Sequence, residues 1–192
     1  MQEIKLLNIE KSFGDKKVLS GVSLSLSPRA RIALMGASGI GKTTLLRILL
    51  GLEKADGGSL SGLPARVSVV FQEDRLCPWL SVRENLRLAA PRASEEAIRK
   101  TLAALGLAGE ENTPASDLSG GMARRVAIAR ACLFDGDLFV LDEPFRGLDE
   151  DTRARTAAYV SACTEGKTLL LVTHNAREAE LLGATVVDDL FA

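Results

Sequence analysis

One glycine-rich segment constrains the fold of this chain more than any other feature. Residues 36–43 read Gly-Ala-Ser-Gly-Ile-Gly-Lys-Thr, which fits the pattern G-x-x-x-x-G-K-[ST]. A short, mostly apolar run at 31–35 precedes the segment, and residues 43–52, rich in Leu and Ile, follow it. We therefore predict a buried strand, a tight loop and a buried helix in direct succession.

A loop of this kind suits the binding of phosphate. Glycines let successive backbone amides turn towards one anion, and the helix that follows presents its positive N-terminal end. Lys42 is placed to reach the β- and γ-phosphates of a nucleoside triphosphate, and the Thr43 hydroxyl is placed to bind Mg²⁺. A flexible glycine loop without a ligand is the alternative, but the flanking strand and helix favour a nucleotide site. The residues predicted to bind the nucleotide here are Gly36, Ala37, Ser38, Gly39, Ile40, Gly41, Lys42, Thr43 and Thr44.

Strands and helices alternate along the rest of the chain. Apolar runs at 67–71, 138–141 and 168–173 predict buried strands, whereas the alternation at 22–26 predicts a half-buried antiparallel strand. Gly14-Asp15 is a candidate hairpin turn. This alternation favours an α/β fold with a mainly parallel sheet.

Residues 73–135 read as mainly helical. Positions 81–84 form a capping box, an amphipathic helix starts at Ser94 and ends at Gly106, and another helix follows Gly121. We predict a single domain over residues 1–192. It combines an N-terminal antiparallel β subdomain, a core with a mainly parallel sheet, and an inserted α-helical subdomain at about 73–135.

The composition excludes several classes of protein. The net charge is −1 and no Lys/Arg-rich run is present, which argues against nucleic acid as a partner. No apolar run approaches the ~18–20 residues needed to span a bilayer, and the charged start does not read as a signal peptide. Three widely spaced cysteines, Cys77, Cys132 and Cys163, disfavour disulfides and a zinc site. We expect a protein of the reducing cytoplasm.

Polar residues follow three of the predicted strands. Asp142 and Glu143 come after 138–141, His174 after 168–173, and Gln72 after 67–71. The carboxyl ends of parallel strands meet at one edge, where ligands of α/β sheets bind. Asp142 is a candidate to hold Mg²⁺ through water, and Glu143 to orient or deprotonate an attacking water. The alternative for Asp142 and Glu143 is that they merely end a strand at the surface, and the alternative for His174 is a structural role. Both are disfavoured because these residues and the glycine loop are predicted at the same edge of the sheet.

Further motifs extend the pattern along nearly the whole chain. They are Leu118-Ser119-Gly120-Gly121-Met122, the helix that follows at 124–131, Val70-Phe71-Gln72-Glu73, Gly147-Leu148-Asp149 and Val172-Thr173-His174. Together with the glycine loop, they resemble the ATP-binding cassette (ABC) ATPases in order and type. The first resembles the signature loop of that family, and the last three its Q-loop, D-loop and switch-histidine segment. Met122 stands where the family usually has Gln, and its thioether cannot donate an amide hydrogen bond.

The resemblance implies a P-loop NTPase core that binds ATP and Mg²⁺ and hydrolyses ATP. It implies that two cassettes face head to tail, with a homodimer the first expectation, and that Ser119, Gly120 and Gly121 of one touch the γ-phosphate held by the other. Thr43, Gln72 and Asp142 are then the metal-site residues, and Glu143, His174 and Gln72 the catalytic ones. Asp149 aligns the two sites, and Phe13 stacks on adenine, with a core or turn residue as the alternative for Phe13.

Residues 71–80, Phe-Gln-Glu-Asp-Arg-Leu-Cys-Pro-Trp-Leu, resemble the Q-loop region of the nitrate, sulfonate and taurine importers. This implies transmembrane permease subunits as direct partners, a solute-binding protein as an indirect one, and a place on the inner face of the cell membrane. Trp79 is a candidate permease contact, or else a surface aromatic. Two alternatives stay open: a soluble, non-transport ABC ATPase, and a nucleotide-binding scaffold without turnover.

Overall fold

The computed structural model describes residues 2–191, so residues 1 and 192, the ends of the predicted domain, lie outside the described part. The described chain forms two β-sheets and six α-helices. In chain order the elements are β1 (Ile4–Phe13), β2 (Lys16–Leu26), β3 (Arg31–Leu34), α1 (Lys42–Leu49), β4 (Gly57–Ser61), β5 (Val67–Val70), α2 (Val82–Ala89), α3 (Glu95–Ala104), α4 (Gly120–Phe134), β6 (Leu138–Asp142), α5 (Glu150–Cys163), β7 (Thr168–Val172), α6 (Ala176–Leu181) and β8 (Thr185–Val187).

The N-terminal sheet is antiparallel and has the order β2-β1-β4. The turn at Gly14-Asp15 joins β1 to β2, as predicted, and Gly14 takes a φ of +56°. The composition of residues 55–59, Ala-Asp-Gly-Gly-Ser, is typical of a turn, but Gly57–Ser61 is a strand that pairs with β1. Gly58 explains the difference: a Cβ there would lie 2.4 Å from the carbonyl oxygen of Asn8, so glycine lets the two strands approach.

The second sheet is parallel and has the order β5-β6-β7-β3-β8. Every residue of β6 and β7 is buried, which matches the continuous apolar runs of a sheet covered on both faces. The order places the carboxyl ends of β5, β6, β7 and β3 side by side. The predicted α/β fold class is confirmed.

Helices α2, α3 and α4 lie between β5 and β6 in the chain. Each starts at a serine whose hydroxyl accepts a backbone N–H of the first turn: Ser81, Ser94 and Ser119. Glu84 completes the predicted capping box at Ser81, and Gly106, with a φ of +68°, follows α3. Among residues 2–191, no helix is long and apolar enough to cross a membrane.

Candidate nucleotide-binding site

The loop at 36–41 leaves β3 and leads into α1 at the carboxyl edge of the parallel sheet. Gly36, Gly39 and Gly41 take φ values of +133°, +78° and +113°, which side chains strongly disfavour. Gly41 also has no room for a side chain, since a Cβ would lie 2.7 Å from Leu19 Cδ2. The sequence therefore forms a loop in which the backbone is open to a ligand and β2 packs directly against it.

Lys42 and Thr43, at the start of α1, have polar partners within the site. The buried Lys42 ammonium donates to the carbonyl oxygens of Gly36 and Ala37, both at 2.8 Å. Burial lowers the pKa of Lys42, an effect opposed by the charges of Glu143 and Asp142. The ammonium is largely enclosed by protein, and its attraction for a phosphate is stronger there than in open water.

Asp142, the last residue of β6, is buried next to the loop. The Thr43 hydroxyl donates to Asp142 Oδ2 at 3.2 Å. Burial raises the pKa of Asp142, and the bond from Thr43 acts in the opposite direction. A hydroxyl and a carboxylate oxygen side by side are ligands that suit Mg²⁺, which takes few protein ligands and completes its shell with water and phosphate. Residues 2–191 contain no group of three or more His, Cys, Asp or Glu side chains that could hold a metal ion.

Glu143 directly follows β6 and faces His174, the second residue after β7. Its Oε1 lies 3.0 Å from Nε2 of His174. Glu143 takes a left-handed φ of +47°, and its N–H donates to the carbonyl oxygen of Val172 at 2.8 Å. A strained backbone at a polar residue of this kind is typical of functional sites.

The loop that carries His174 is held by buried polar contacts. The Thr173 hydroxyl donates to Glu178 Oε2 at 2.5 Å and accepts the N–H of Asn175 at 3.1 Å. Asn175 in turn caps α6 by accepting the N–H of Arg177. These contacts fix the backbone on both sides of His174, which itself is exposed.

Nine of the predicted site residues line one cavity of about 220 Å³. They come from the glycine loop, from α1 and from the ends of β5, β6 and β7: Ser38, Gly39, Gly41, Lys42, Thr43, Thr44, Gln72, Glu143 and His174. Gly36 and Ala37 contribute the carbonyl groups that bind Lys42, and Ile40 packs 3.8 Å from the position of a Cβ on Gly36. Convergence of four strand ends therefore places the phosphate loop opposite the Glu143–His174 pair.

The remaining predicted residues lie elsewhere. Phe13, at the end of β1, is half exposed, and the Lys11 ammonium lies 5.1 Å from its ring centroid. Ser119 and Asp149 are exposed and cap α4 and α5. Gly120 and Gly121 line a second, open cavity, which Gln72 also borders. These residues do not line the phosphate cavity of their own chain.

Three residues at the site were not among the predicted site residues. Val18, in β2, and Val172, at the end of β7, line the phosphate cavity. Arg124, in α4, donates to carbonyl groups on both sides of the site, including those of Gln72 and Glu143. Its sequence signal is weak, because α4 carries three arginines, at 124, 125 and 130, and nothing in their spacing distinguishes the buried one.

A glycine loop that begins a helix at the carboxyl edge of a parallel sheet, with a lysine inside it, is the phosphate-binding arrangement of P-loop nucleotide-binding proteins. The fold and the site place the chain in that class. Within it, residues 19–146 match the family model described as ABC transporter. The chain belongs to this family, which confirms the resemblance seen in the sequence.

Relatives with curated names support the same assignment. The chain is 40% identical to the aliphatic sulfonates import ATP-binding protein SsuB 1 of Paraburkholderia xenovorans (strain LB400), over 96% of this chain and 56% of that protein. It is 42% identical to SsuB 3 of Rhodococcus jostii (strain RHA1), over 96% of this chain and 70% of that protein. The chain thus spans little more than half the length of the first relative.

A solved structure has the same fold. The dimeric structure of MJ0796, described as a bacterial ABC transporter cassette, superposes with a TM-score of 0.84 at 28% identity, over 93% of this chain and 90% of that one. A structure of the same cassette, described as a dimeric post-hydrolysis state bound to ADP and Pi, superposes with a TM-score of 0.82 at 27% identity.

Proposed function

We propose that this chain binds and hydrolyses ATP as the ATP-binding subunit of an ABC importer. The observation that carries the proposal is the Glu143–His174 pair, 3.0 Å apart, which faces Lys42 across one cavity. A carboxylate at hydrogen-bond distance from an imidazole, opposite a phosphate loop, suits activation of a water next to a terminal phosphate. A scaffold without turnover has no need of that pair.

Each residue of the site has a distinct role in this proposal. Lys42 and the amides of the loop bind the phosphates, and Thr43 and Asp142 hold Mg²⁺, assisted by Gln72. When bound, the metal neutralises phosphate charge. Glu143 accepts the proton of the attacking water, while His174 donates to Glu143 and fixes its carboxylate.

The residues outside the cavity fit a site shared between two copies of this chain. Ser119, Gly120 and Asp149 are exposed at helix starts, where backbone N–H groups suit a phosphate. We assign Ser119, Gly120 and Gly121 to the γ-phosphate held by the partner copy, Asp149 to the contact between the two sites, and Phe13 to adenine. ATP then stabilises the dimer because it binds both copies, and hydrolysis weakens it.

The importer role brings membrane subunits as partners. Trp79 follows the loop that carries Gln72, and 78% of its surface is exposed, which suits a protein contact. We propose that permease subunits bind there and hold the chain at the inner face of the cell membrane. A solute-binding protein then acts through the permease. The names of the relatives make aliphatic sulfonates the proposed solute class.

ATP hydrolysis by purified variants tests the proposal. We expect Lys42→Ala to lose nucleotide binding in calorimetry, and Glu143→Gln to bind ATP, to elute as a dimer with it, and to turn over at least ~100-fold more slowly. Lys100→Ala, an exposed position on α3, is the matched control. Normal turnover by Glu143→Gln would exclude Glu143 as the base. Failure of the chain to associate with any permease on membranes would favour the soluble, non-transport alternative.

A further inference from the structure

Arg124 is the most extensively hydrogen-bonded side chain near the site that the proposed mechanism does not use. It lies on the first turns of α4 and is 3% exposed. Its Nη1 donates to the carbonyl oxygens of Phe71 at 2.6 Å and Gln72 at 3.3 Å, and to Asp74 Oδ1 at 3.0 Å. On the other side, Nε and Nη2 donate to three consecutive carbonyl oxygens, at 2.5 to 2.9 Å: those of Asp142, Glu143 and Pro144.

The charged guanidinium of Arg124 binds mainly to backbone carbonyl groups. A buried guanidinium is costly unless its N–H groups are all satisfied, and five of the six acceptors are main-chain carbonyls. Asp74, at 3.0 Å, is the one carboxylate bonded to the guanidinium among the contacts of the described chain. The planar fork of arginine can reach two chain segments at once, whereas the single ammonium of lysine cannot.

The segment at 142–144 contains a residue whose backbone conformation is unfavourable without such hydrogen bonds. Glu143 has a φ of +47°, a conformation that a residue with a side chain adopts only where its surroundings determine it. The bond from Arg124 Nη2 to its carbonyl oxygen, at 2.5 Å, is the shortest of the six. Together with the bond from its own N–H to Val172, it fixes the peptide groups on both sides of Glu143. The direction of the carboxylate towards His174 follows from that backbone.

We propose that Arg124 is a positioning residue for ATP hydrolysis, which fixes the backbone of Glu143 and ties the loop carrying Gln72 to the same point. This rests on the role proposed above for Glu143. Arg124 does not line the phosphate cavity of its own chain, although it borders the second cavity with Gln72, Gly120 and Gly121. Its loss should therefore lower kcat and leave the affinity of the single chain for nucleotide unchanged. Its hydrogen bonds also connect the start of α4, next to Ser119, directly to the backbone of Glu143.

Arg130, two turns further along α4, is the matched comparison. Its guanidinium donates to the carbonyl oxygens of Asp74 and Arg75, both at 2.8 Å, so within residues 2–191 its hydrogen bonds go to the loop after β5 and not to the residues that follow β6. The proposal requires the bonds from Arg124 to the carbonyl oxygens at 142–144. Arg124→Gln should then lower kcat at least ~10-fold and change KM by less than about twofold, because a small displacement of a catalytic group lowers the rate by up to ~100-fold. Arg130→Gln will change kcat by less than about threefold.

A double-mutant cycle with Glu143→Gln separates positioning from general destabilisation. In single-turnover assays, Arg124→Gln should cost less than about twofold once Glu143 is replaced, because the effect acts through that carboxylate. Equal losses in both backgrounds, or an unchanged kcat in Arg124→Gln, would overturn the proposal. If Arg124→Gln does not fold, Arg124→Lys takes its place, since it keeps the buried charge and loses only the fork. Normal turnover by Glu143→Gln alone would instead refute the proposed function.

Discussion

Replacement of Ser68 by alanine tests the contact that joins β5 to the end of α4. Ser68 is 1% exposed, and its hydroxyl donates to the carbonyl oxygen of Ala131 at 2.8 Å and accepts the N–H of Gly136 at 2.9 Å. Gly136 passes so close to β5 that a Cβ there would lie 2.6 Å from Ser68 N. The variant therefore removes two hydrogen bonds at a point where the backbone cannot shift apart without cost.

The expected loss of stability follows from those two bonds. The Ala131 carbonyl keeps its contact with the N–H of Asp135, at 3.4 Å, so only the donated bond is lost there, at about 1 kcal/mol. The N–H of Gly136 is left without its partner in a buried position, which costs about 2 kcal/mol. We expect a loss of ~3 kcal/mol in the free energy of unfolding, and a Tm lower by ~6–12 °C for a domain of this size.

Equilibrium urea unfolding followed by circular dichroism measures the effect. Ser25→Ala, at an exposed position of β2, is the control and should stay within ~0.5 kcal/mol of the parent. The KM for ATP should not change, because Ser68 does not line the phosphate cavity. A loss below ~1 kcal/mol would refute the reasoning, since it would mean that the N–H of Gly136 finds another partner at no cost.

Three further changes have defined outcomes. Thr173→Val should lower kcat several-fold with little change in KM, since it removes the hydroxyl that binds Glu178 and the N–H of Asn175 next to His174, although Glu178 keeps its ion pair with Arg153. An unchanged kcat in ATPase assays would contradict this. A hydrogen bond from Cys132 lowers the pKa of Cys163 to about 7, whereas burial acts in the opposite direction. The rate at which iodoacetamide alkylates Cys163 should therefore rise with pH and level off near pH ~8. Mass spectrometry measures this rate, with Cys163→Ser as the control. A rate that still climbs tenfold between pH ~8 and ~9 would exclude that pKa. Ser119→Ala, which removes the cap of α4, should cost ~1 kcal/mol in urea unfolding, and no change would show that the cap adds nothing.

The parallel sheet and the phosphate loop could be predicted because local sequence determines them. The segments 138–141 and 169–172 are apolar throughout, as full burial on both faces of the sheet demands. The loop at 36–43 needs glycines at fixed places to reach its φ values, and that requirement is visible in the sequence.

Other features depend on contacts between distant segments and gave no local signal. β4 has the glycines of a turn, but its pairing with β1 overrides that preference. α5 was not predicted, because its buried residues Thr156, Ala157 and Val160 form a weak apolar face. The hydrogen bonds of Arg124 reach carbonyl groups about 20 and 50 residues away in the chain, which no spacing rule connects.

The strand order of the parallel sheet sets the distance between the loop that carries Gln72 and the phosphate loop. β6 and β7 lie between β5, which leads to Gln72, and β3, which leads to the phosphate loop. At about 4.8 Å per strand, the two loops leave the sheet ~14 Å apart. Gln72 and Lys42 nevertheless line the same cavity, so the two loops converge above the sheet across the ends of β6 and β7. The separation of the strands therefore leaves room between the loops for Glu143 and His174, which follow the two strands in the middle.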